Sequence, residues 1–131
     1  MDDNFLKVKN YLVDLGFDIT FESEEDGVLI IHNEEEAITN LVVGVANPLV
    51  IIEQYLFSKK DASVEMYKSL LMKNQDIIHG AFVIDESGEK ILFRDTLQLE
   101  NLDLNELEAS LNSLSLLLSE YSDELIKFSM S

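Results

Sequence analysis

The chain has 131 residues with 26 acidic and nine basic side chains, for a formal charge of −17. This acidity disfavours nucleic acids and anionic membranes as partners, because both would be repelled. The chain contains no cysteine, which excludes disulfides and thiolate metal sites and is compatible with a reducing cytoplasm. No apolar run reaches the roughly 20 residues that span a bilayer. We therefore expect a cytoplasmic protein with a single domain over residues 1–131.

The first predicted elements are a helix and a β-hairpin. Over Asp2–Leu15, apolar residues recur at steps of three and four, and Gly16 is typical of a helix end. The stripe consists of Phe5, Val8, Leu12 and Leu15. Phe17–Glu22 then alternates between apolar and polar residues, and Val28–Asn33 is the returning strand. The apolar face of the first strand consists of Phe17, Ile19 and Phe21.

Residues 38–57 are rich in valine and isoleucine, which favours strand. Asn47-Pro48 interrupts the run, since proline removes a donor from a central strand, and this splits it into Thr39–Ala46 and Leu49–Phe57. Both faces of these strands are apolar, with Leu41, Val43 and Val45 against Val42, and Leu49 and Ile51 against Val50 and Ile52. Such strands are typical of a sheet centre, and an oligomer or ligand face is the alternative.

A second helix is predicted over Ala62–Asn74, with Asp61 as its N-cap. Its apolar stripe consists of Val64, Tyr67 and Leu71, widened by Leu70. Met66 and Met72 fit core packing better than an adaptable binding surface.

The stretch His79–Leu99 predicts a hairpin around the turn Asp85–Gly88, because polar residues ending in glycine favour a sharp reversal. The second strand of this hairpin has two distinct faces. One face carries Ile91, Phe93, Leu97 and Leu99, and the other carries Leu92, Arg94, Thr96 and Gln98. The pattern is typical of a half-buried strand with one apolar face.

The longest helix is predicted over Asp103–Phe128, where Asp103 and Glu106 form a capping box. Its stripe consists of Leu104, Leu107, Leu111, Leu114, Leu118, Tyr121, Leu125 and Phe128. Packing along the sheet is favoured over a coiled-coil dimer, because a half-apolar sheet needs a helix to cover it. The polar face of this helix is expected to include Ser110, Ser113, Ser115 and Ser119.

The residues for catalysis or for a cofactor are not apparent. No serine stands in a nucleophile-elbow motif, no glycine-rich phosphate loop exists, and His32 and His79 show no metal-ligand spacing. Glu34–Glu36 is read as a solvated loop rather than a cation site. Arg94, the only arginine, could bind a partner carboxylate, but a surface ion pair is favoured. We therefore predict a non-enzyme without cofactor or metal.

The later part of the chain resembles a known family. The features are Leu70 followed by Asn74, then the strand Gly80–Asp85 with Gly88, then Ile91–Leu97, and a long amphipathic helix. In these features the chain resembles the YbjN and Tir-chaperone-like family, which shares the class I type III secretion chaperone fold. The resemblance covers residues 61–128 well and residues 1–60 mainly in the order of elements.

The resemblance implies an α+β fold: a helix, three or four antiparallel strands, a helix, a hairpin and a long C-terminal helix on the sheet. It also implies a protein partner held on apolar patches or by strand addition at a sheet edge, and usually a homodimer. We predict a non-catalytic, acidic, chaperone-like module. The candidate partner-binding residues are Leu92, Arg94, Thr96, Gln98, Val42, Val50 and Ile52.

Two rival functions remain open at this point. One is an acidic inhibitor or immunity-type protein that caps a basic site on its target by charge. The other is an enzyme, which would need a pocket that collects His79, Arg94 and carboxylates.

Overall fold

A computed structural model describes residues 3–131 as an α+β fold of three helices and one antiparallel sheet of six strands. The elements in chain order are α1 (Asp3–Asp14), β1 (Asp18–Ser23), β2 (Val28–Asn33), β3 (Ile38–Ala46), β4 (Leu49–Ser58), α2 (Val64–Asn74), β5 (Ala81–Ile84), β6 (Lys90–Gln98) and α3 (Leu104–Met130). This order confirms the predicted fold class. The predicted start of the first helix at Asp2 falls outside the described residues.

The sheet has the strand order β1-β2-β3-β4-β6-β5, so the hairpin β5–β6 joins the first four strands through β6. β3 and β4 lie in the interior of the sheet, as predicted, and the turn between them contains the cis peptide Asn47-Pro48. The three helices cover the same face of the sheet. The Tyr11 hydroxyl of α1 donates to the Leu102 carbonyl before α3, and Lys73 of α2 pairs with Glu124 of α3 at 2.6 Å.

Strand β1 differs from its prediction because it contains a bulge. Ile19 pairs with Ile31, but the next paired residue is Phe21 with Ile30, so Thr20 is an extra residue. The inserted residue moves Phe21 to the opposite face of the sheet, since side chains alternate along a strand. Phe21 is therefore 51% exposed rather than packed beside Phe17. The predicted shared face of Phe17, Ile19 and Phe21 is wrong at its third residue.

Helix α2 begins later and faces the sheet differently from the prediction. Its N-cap is Ser63, whose side chain accepts from the Met66 N–H, and not Asp61. Met66 and Leu70 are the buried residues of α2, whereas Val64 is 71% and Leu71 is 68% exposed. The buried stripe of α2 is rotated relative to the predicted one. The reason is that this helix lies at the rim of the sheet, where only a narrow strip of its surface is covered.

Helix α3 follows its prediction in position and in its leucine stripe, and the Asp103 carboxylate accepts from the Glu106 N–H at 2.8 Å. The expected polar face of α3 is wrong for Ser110, whereas Ser119 is exposed. The hydroxyl of Ser110 is buried and donates to Asp95 Oδ2 at 2.6 Å. Ser113 and Ser115 donate to the carbonyls of His79 and Glu36. These hydroxyls tie α3 to β6 and to two loops, because short polar side chains can bond backbone groups across a tight helix contact.

The hairpin β5–β6 is confirmed. Ile91 and Phe93 are buried, and Phe82 of β5 meets Phe93 edge-on with ring centres 6.5 Å apart. Gly80 precedes β5 with a φ of +90°, and a side chain there would collide with the Phe93 ring. A residue other than glycine would therefore displace the core at the start of the hairpin.

Candidate partner-binding surface

The sheet face opposite the three helices is not covered by any element of residues 3–131, and we call it the open face. The strand registers define its rows of neighbouring side chains. One row runs Phe21, Ile30, Val42, Glu53, Arg94, and a second runs Ser23, Val28, Gly44, Ile51, Thr96. The apolar side chains in these rows touch across the strands, which leaves several of them half-buried without any helix above them.

Charge on the open face is nearly balanced. Strand alternation places two acids and two bases there within the described strands: Asp18, Glu53, Lys90 and Arg94. Glu53 and Arg94 are cross-strand partners, and their Oε1 and Nε atoms are 3.5 Å apart. Glu22 lies on the helix side, where it pairs with Lys9 of α1 at 3.0 Å. The strands of the open face therefore present equal numbers of acidic and basic side chains, on a chain with a net charge of −17.

Most of the predicted partner-binding residues meet on the open face. Arg94, Thr96 and Gln98 are exposed there, Leu92 is half-buried, and Val42 is 36% exposed. The ion pair favoured for Arg94 forms with Glu53 and not with the adjacent Asp95.

Val50 and Ile52 do not share this face. They have the opposite parity in β4 and are fully buried beneath the helices. A partner therefore cannot contact these two side chains in the folded protein, and we correct that part of the prediction.

Other open-face residues were not among the candidates. Phe21 was missed because no feature of the sequence marks the bulge at Thr20. Tyr55 is 51% exposed and lies beside Leu92 in the β4–β6 register. The alternation of β2 places Ile30 opposite its buried residues, and that signal was sufficient to include it.

The two edges of the sheet are both modified. At β5, the Asn74 side chain bonds the backbone of Phe82 twice: its Oδ1 accepts from the Phe82 N–H at 2.7 Å, and its Nδ2 donates to the Phe82 carbonyl at 3.2 Å. At β1, the bulge interrupts the regular ladder, and the Thr20 hydroxyl donates to the Ile30 carbonyl. Side-chain caps and bulges of this kind hinder the addition of another strand.

The polar groups that an enzyme would need are dispersed. His79 lies in a loop against α3, Arg94 lies on the open face, and His32 contacts the Thr39 hydroxyl through Nδ1 at 3.4 Å. Residues 3–131 contain no cluster of three or more histidine, aspartate or glutamate side chains that could hold a metal ion. Within the same residues, no helix has the length and apolar character needed to cross a membrane.

One carboxyl group has a clearly shifted pKa. The Ser87 hydroxyl donates to Asp85 Oδ1 at 2.6 Å in the β5–β6 turn, and this bond lowers the pKa of Asp85 below its usual 3.8. The turn is solvent-exposed and outside the rows of the open face, so the shift reflects turn formation rather than a reactive site.

Comparisons with known proteins agree with this architecture. The family model CesT_Tir_1 matches residues 1–131. A crystal structure of YbjN from E. coli, described as a putative transcription regulator, aligns with a TM-score of 0.71 and 12% identity, over 92% of each chain. A structure of the HopA1–SchA chaperone–effector complex contains a chain with a TM-score of 0.63 and 12% identity, over 100% of this chain and 99% of that one.

An uncharacterised protein from Methanothermobacter thermautotrophicus aligns with a TM-score of 0.62 and 11% identity, over 96% of this chain and 99% of that one. No curated protein sequence matches. At these identities the structural neighbours establish the fold alone.

Proposed function

The chain belongs to the CesT_Tir_1 family, and from this premise we propose that it is a non-catalytic, chaperone-like protein that holds a partner polypeptide against its open face. The observation that carries the proposal is a sheet face that no helix covers and whose strands present neighbouring apolar side chains, among them Phe21, Ile30 and Val42, with equal numbers of acidic and basic groups. Monomeric proteins rarely leave a large contiguous apolar patch in water, and such patches are typical of interaction sites. Membership in a chaperone family and a chaperone–effector neighbour support a protein partner.

The face is a better candidate than the edges. Asn74 occupies the backbone groups of Phe82 that a strand added at β5 would need, and the bulge at Thr20 disturbs the ladder at β1. We therefore propose side-chain contact across the central rows, around Val42 and Ile51, as the main mode of binding. A cytoplasmic location is part of the proposal.

The charge pattern provides a way to distinguish partner binding on the open face from binding by an acidic inhibitor. An acidic inhibitor or immunity-type protein would use the acids that surround the sheet, and its binding would weaken steeply as salt screens the charges. Apolar contact on a neutral face would survive the same salt. The chain's net charge of −17 is the observation that favours the rival.

The experiment introduces a charge at the centre of the open face. Val42→Asp places a carboxylate beside Ile30 on the open face, and Leu116→Asp is the matched control, because Leu116 is an exposed leucine of α3. Each tagged protein is purified from its native host, washed at low and high salt, and the bound polypeptides are quantified by mass spectrometry. A photo-crosslinking amino acid at position 42 or 116 then reports which surface touches the partner.

We expect the amount of partner bound to Val42→Asp to be at least ten-fold lower than the amount bound to Leu116→Asp. Crosslinks to the partner should form from position 42 and not from position 116. Retention of the partner by Val42→Asp would contradict the open face as the binding surface. Loss of the partner from all variants at high salt would instead favour the acidic inhibitor.

We also propose that the protein forms a homodimer through the rim at α2. Val64 and Leu71 are exposed on this helix, and an apolar cleft of about 260 Å³ lies between Leu71 and Ile84 of the β5 edge. Leu71→Glu should halve the mass measured by light scattering, while Leu116→Glu should leave it unchanged. A monomeric mass for the unmodified protein would refute this proposal without affecting the open face.

A further inference from the structure

A long groove lies on the helix side of the molecule, away from the open face. One wall is α3 from Ser115 to Ser129, and the other is the β2–β3 turn with the end of β4. Its volume is about 650 Å³. The 15 residues of helix that form the first wall extend about 21 Å from the first Cα to the last at the α-helical rise. The groove therefore has the length of a short helix.

We call this groove the α3 groove. Its floor is apolar, and the side chains that α3 contributes to its wall are mostly small. Phe57 and Leu125 are nearly buried at the base, and Leu118 lies beside them. The wall residues on α3 are mostly serines: Ser115, Ser119, Ser122 and Ser129. The hydroxyls of Ser115 and Ser129 donate to backbone carbonyls of this chain. Because their donors are already satisfied without water, these small side chains allow another backbone to approach closely.

The volume and length of the groove limit what can enter it. A complete helix of that length with side chains, about 10–12 Å across, occupies roughly 1,600–2,400 Å³ and therefore exceeds the volume of the groove. One stripe of side chains from a helix fits, and the remainder of that helix would lie above the serines. This is the geometry of an amphipathic helix docked in an apolar groove.

Charge selects among the possible occupants. Glu35 and Glu36, both in the β2–β3 turn, are the charged groups among the described residues that line the groove. They would attract a cationic residue at that end and repel a carboxylate- or phosphate-headed lipid. A second copy of this chain has only nine basic residues against 26 acidic ones, so it offers few cations to the acidic end of the groove. A basic amphipathic helix satisfies both the apolar floor and the acidic end.

The rim of the groove contains a strained residue that supports a shaped site. Ala37 has a φ of 56°, in the left-handed region that glycine adopts without cost. Glycine there would lack the methyl group that Ala37 adds to the groove lining. Strain of this kind is commonly retained at binding sites.

We propose that the α3 groove is a second protein-docking surface, which binds one amphipathic helix of a partner with its apolar stripe on the floor and a lysine or arginine against Glu35 and Glu36. This surface is independent of the open face. A partner could therefore be held on both sides of the sheet at once.

The test uses two synthetic helical peptides of about 16 residues that share one leucine stripe and differ only in carrying lysine or glutamate elsewhere. Because the chain has no cysteine, Ser119→Cys provides a single site for an environment-sensitive dye in the groove wall. We expect the lysine peptide to bind and to shift the emission of this dye, and the glutamate peptide to do neither.

Matched variants separate groove binding from general attraction to an acidic protein. Ser122→Trp fills the groove from an exposed position, and Asn105→Trp adds the same bulk at an exposed site of α3 outside it. The double variant Glu35→Gln with Glu36→Gln removes the acidic end, and Glu34→Gln removes a neighbouring charge that does not line the groove. Thermal melting confirms that each variant folds.

We expect Ser122→Trp to weaken binding at least ten-fold and the double glutamine variant at least five-fold, with changes below two-fold for Asn105→Trp, Glu34→Gln and the open-face variant Val42→Asp. Equal binding by Ser122→Trp and the unmodified protein would overturn the proposal. The proposal would also be overturned if the unmodified protein were a dimer and the Ser122→Trp variant a monomer. The groove would then hold a second copy of the chain.

Discussion

The Asn74 side chain caps the β5 edge, and its removal should destabilise the fold by a measurable amount. In Asn74→Ala, the N–H and carbonyl of Phe82 both lose their partner, at 2.7 and 3.2 Å. Each such bond contributes a net of about 0.5–1.5 kcal/mol, so the free energy of unfolding should fall by about 1–3 kcal/mol. For a chain of this size, the melting temperature should fall by about 4 °C for each kcal/mol.

Two further variants test the geometry of this cap. Asn74→Asp keeps an oxygen that accepts from the Phe82 N–H but lacks the donor to the Phe82 carbonyl, so we expect a smaller loss than in Asn74→Ala. Asn112→Ala removes an exposed asparagine from α3 and should change stability by less than about 0.5 kcal/mol.

Urea unfolding followed by circular dichroism measures these differences, and hydrogen exchange of the Phe82 amide reports the cap directly. We expect the Phe82 amide to exchange faster in Asn74→Ala than in the unmodified protein. A loss below about 0.5 kcal/mol, with the Phe82 amide still protected, would refute the reasoning, because another group would then satisfy this backbone.

The remaining predictions concern α3 and the hairpin turn. Ser110→Ala leaves the carboxylate of Asp95 without its 2.6 Å partner and should cost about 1–3 kcal/mol in urea unfolding, whereas Ser119→Ala, at an exposed position, should cost less than about 0.5 kcal/mol. Equal costs would contradict a structural role for the buried hydroxyl. Asp85 should titrate below pH 3.8 when followed by carboxyl NMR, because its charged form accepts from Ser87, and Ser87→Ala should raise this midpoint. Because the pKa of Asp85 is lower in the folded state than in the unfolded state, the stabilisation by Asp85 is complete above the unfolded pKa. This stabilisation is lost as the pH falls through the folded pKa. A measured midpoint at or above 3.8 would contradict this prediction.

The sequence was sufficient to predict the element order, the two interior strands and the faces of β6. These features depend on periodicity, on proline and on turn residues, all of which act within a few positions of the chain. The bounds of β2 agree with the prediction at both ends, and α3 starts at its predicted cap.

The features that sequence could not predict depend on distant contacts. The bulge at Thr20 is set by pairing with β2, and it moves Phe21 to the open face. The rotation of α2 follows from its place at the rim, and the burial of Ser110 follows from the carboxylate that β6 presents to it. The exposed and buried faces of β6 were therefore predictable, because parity alone decides them. The expected exposure of Val50 and Ile52 was wrong, because these side chains are buried under the helices.

The strand order also determines which parts of the sheet can form while the chain is still being synthesised. β6 pairs with β4 across the whole of α2 and β5, and α3 follows later still in the chain. While the ribosome synthesises residues 59–89, the strands β1–β4 have already been made, but their neighbour β6 and the covering helix α3 have not. Only α1 then covers the helix side of these strands, so the apolar residues that α3 will bury are exposed to water and the nascent chain needs protection from aggregation.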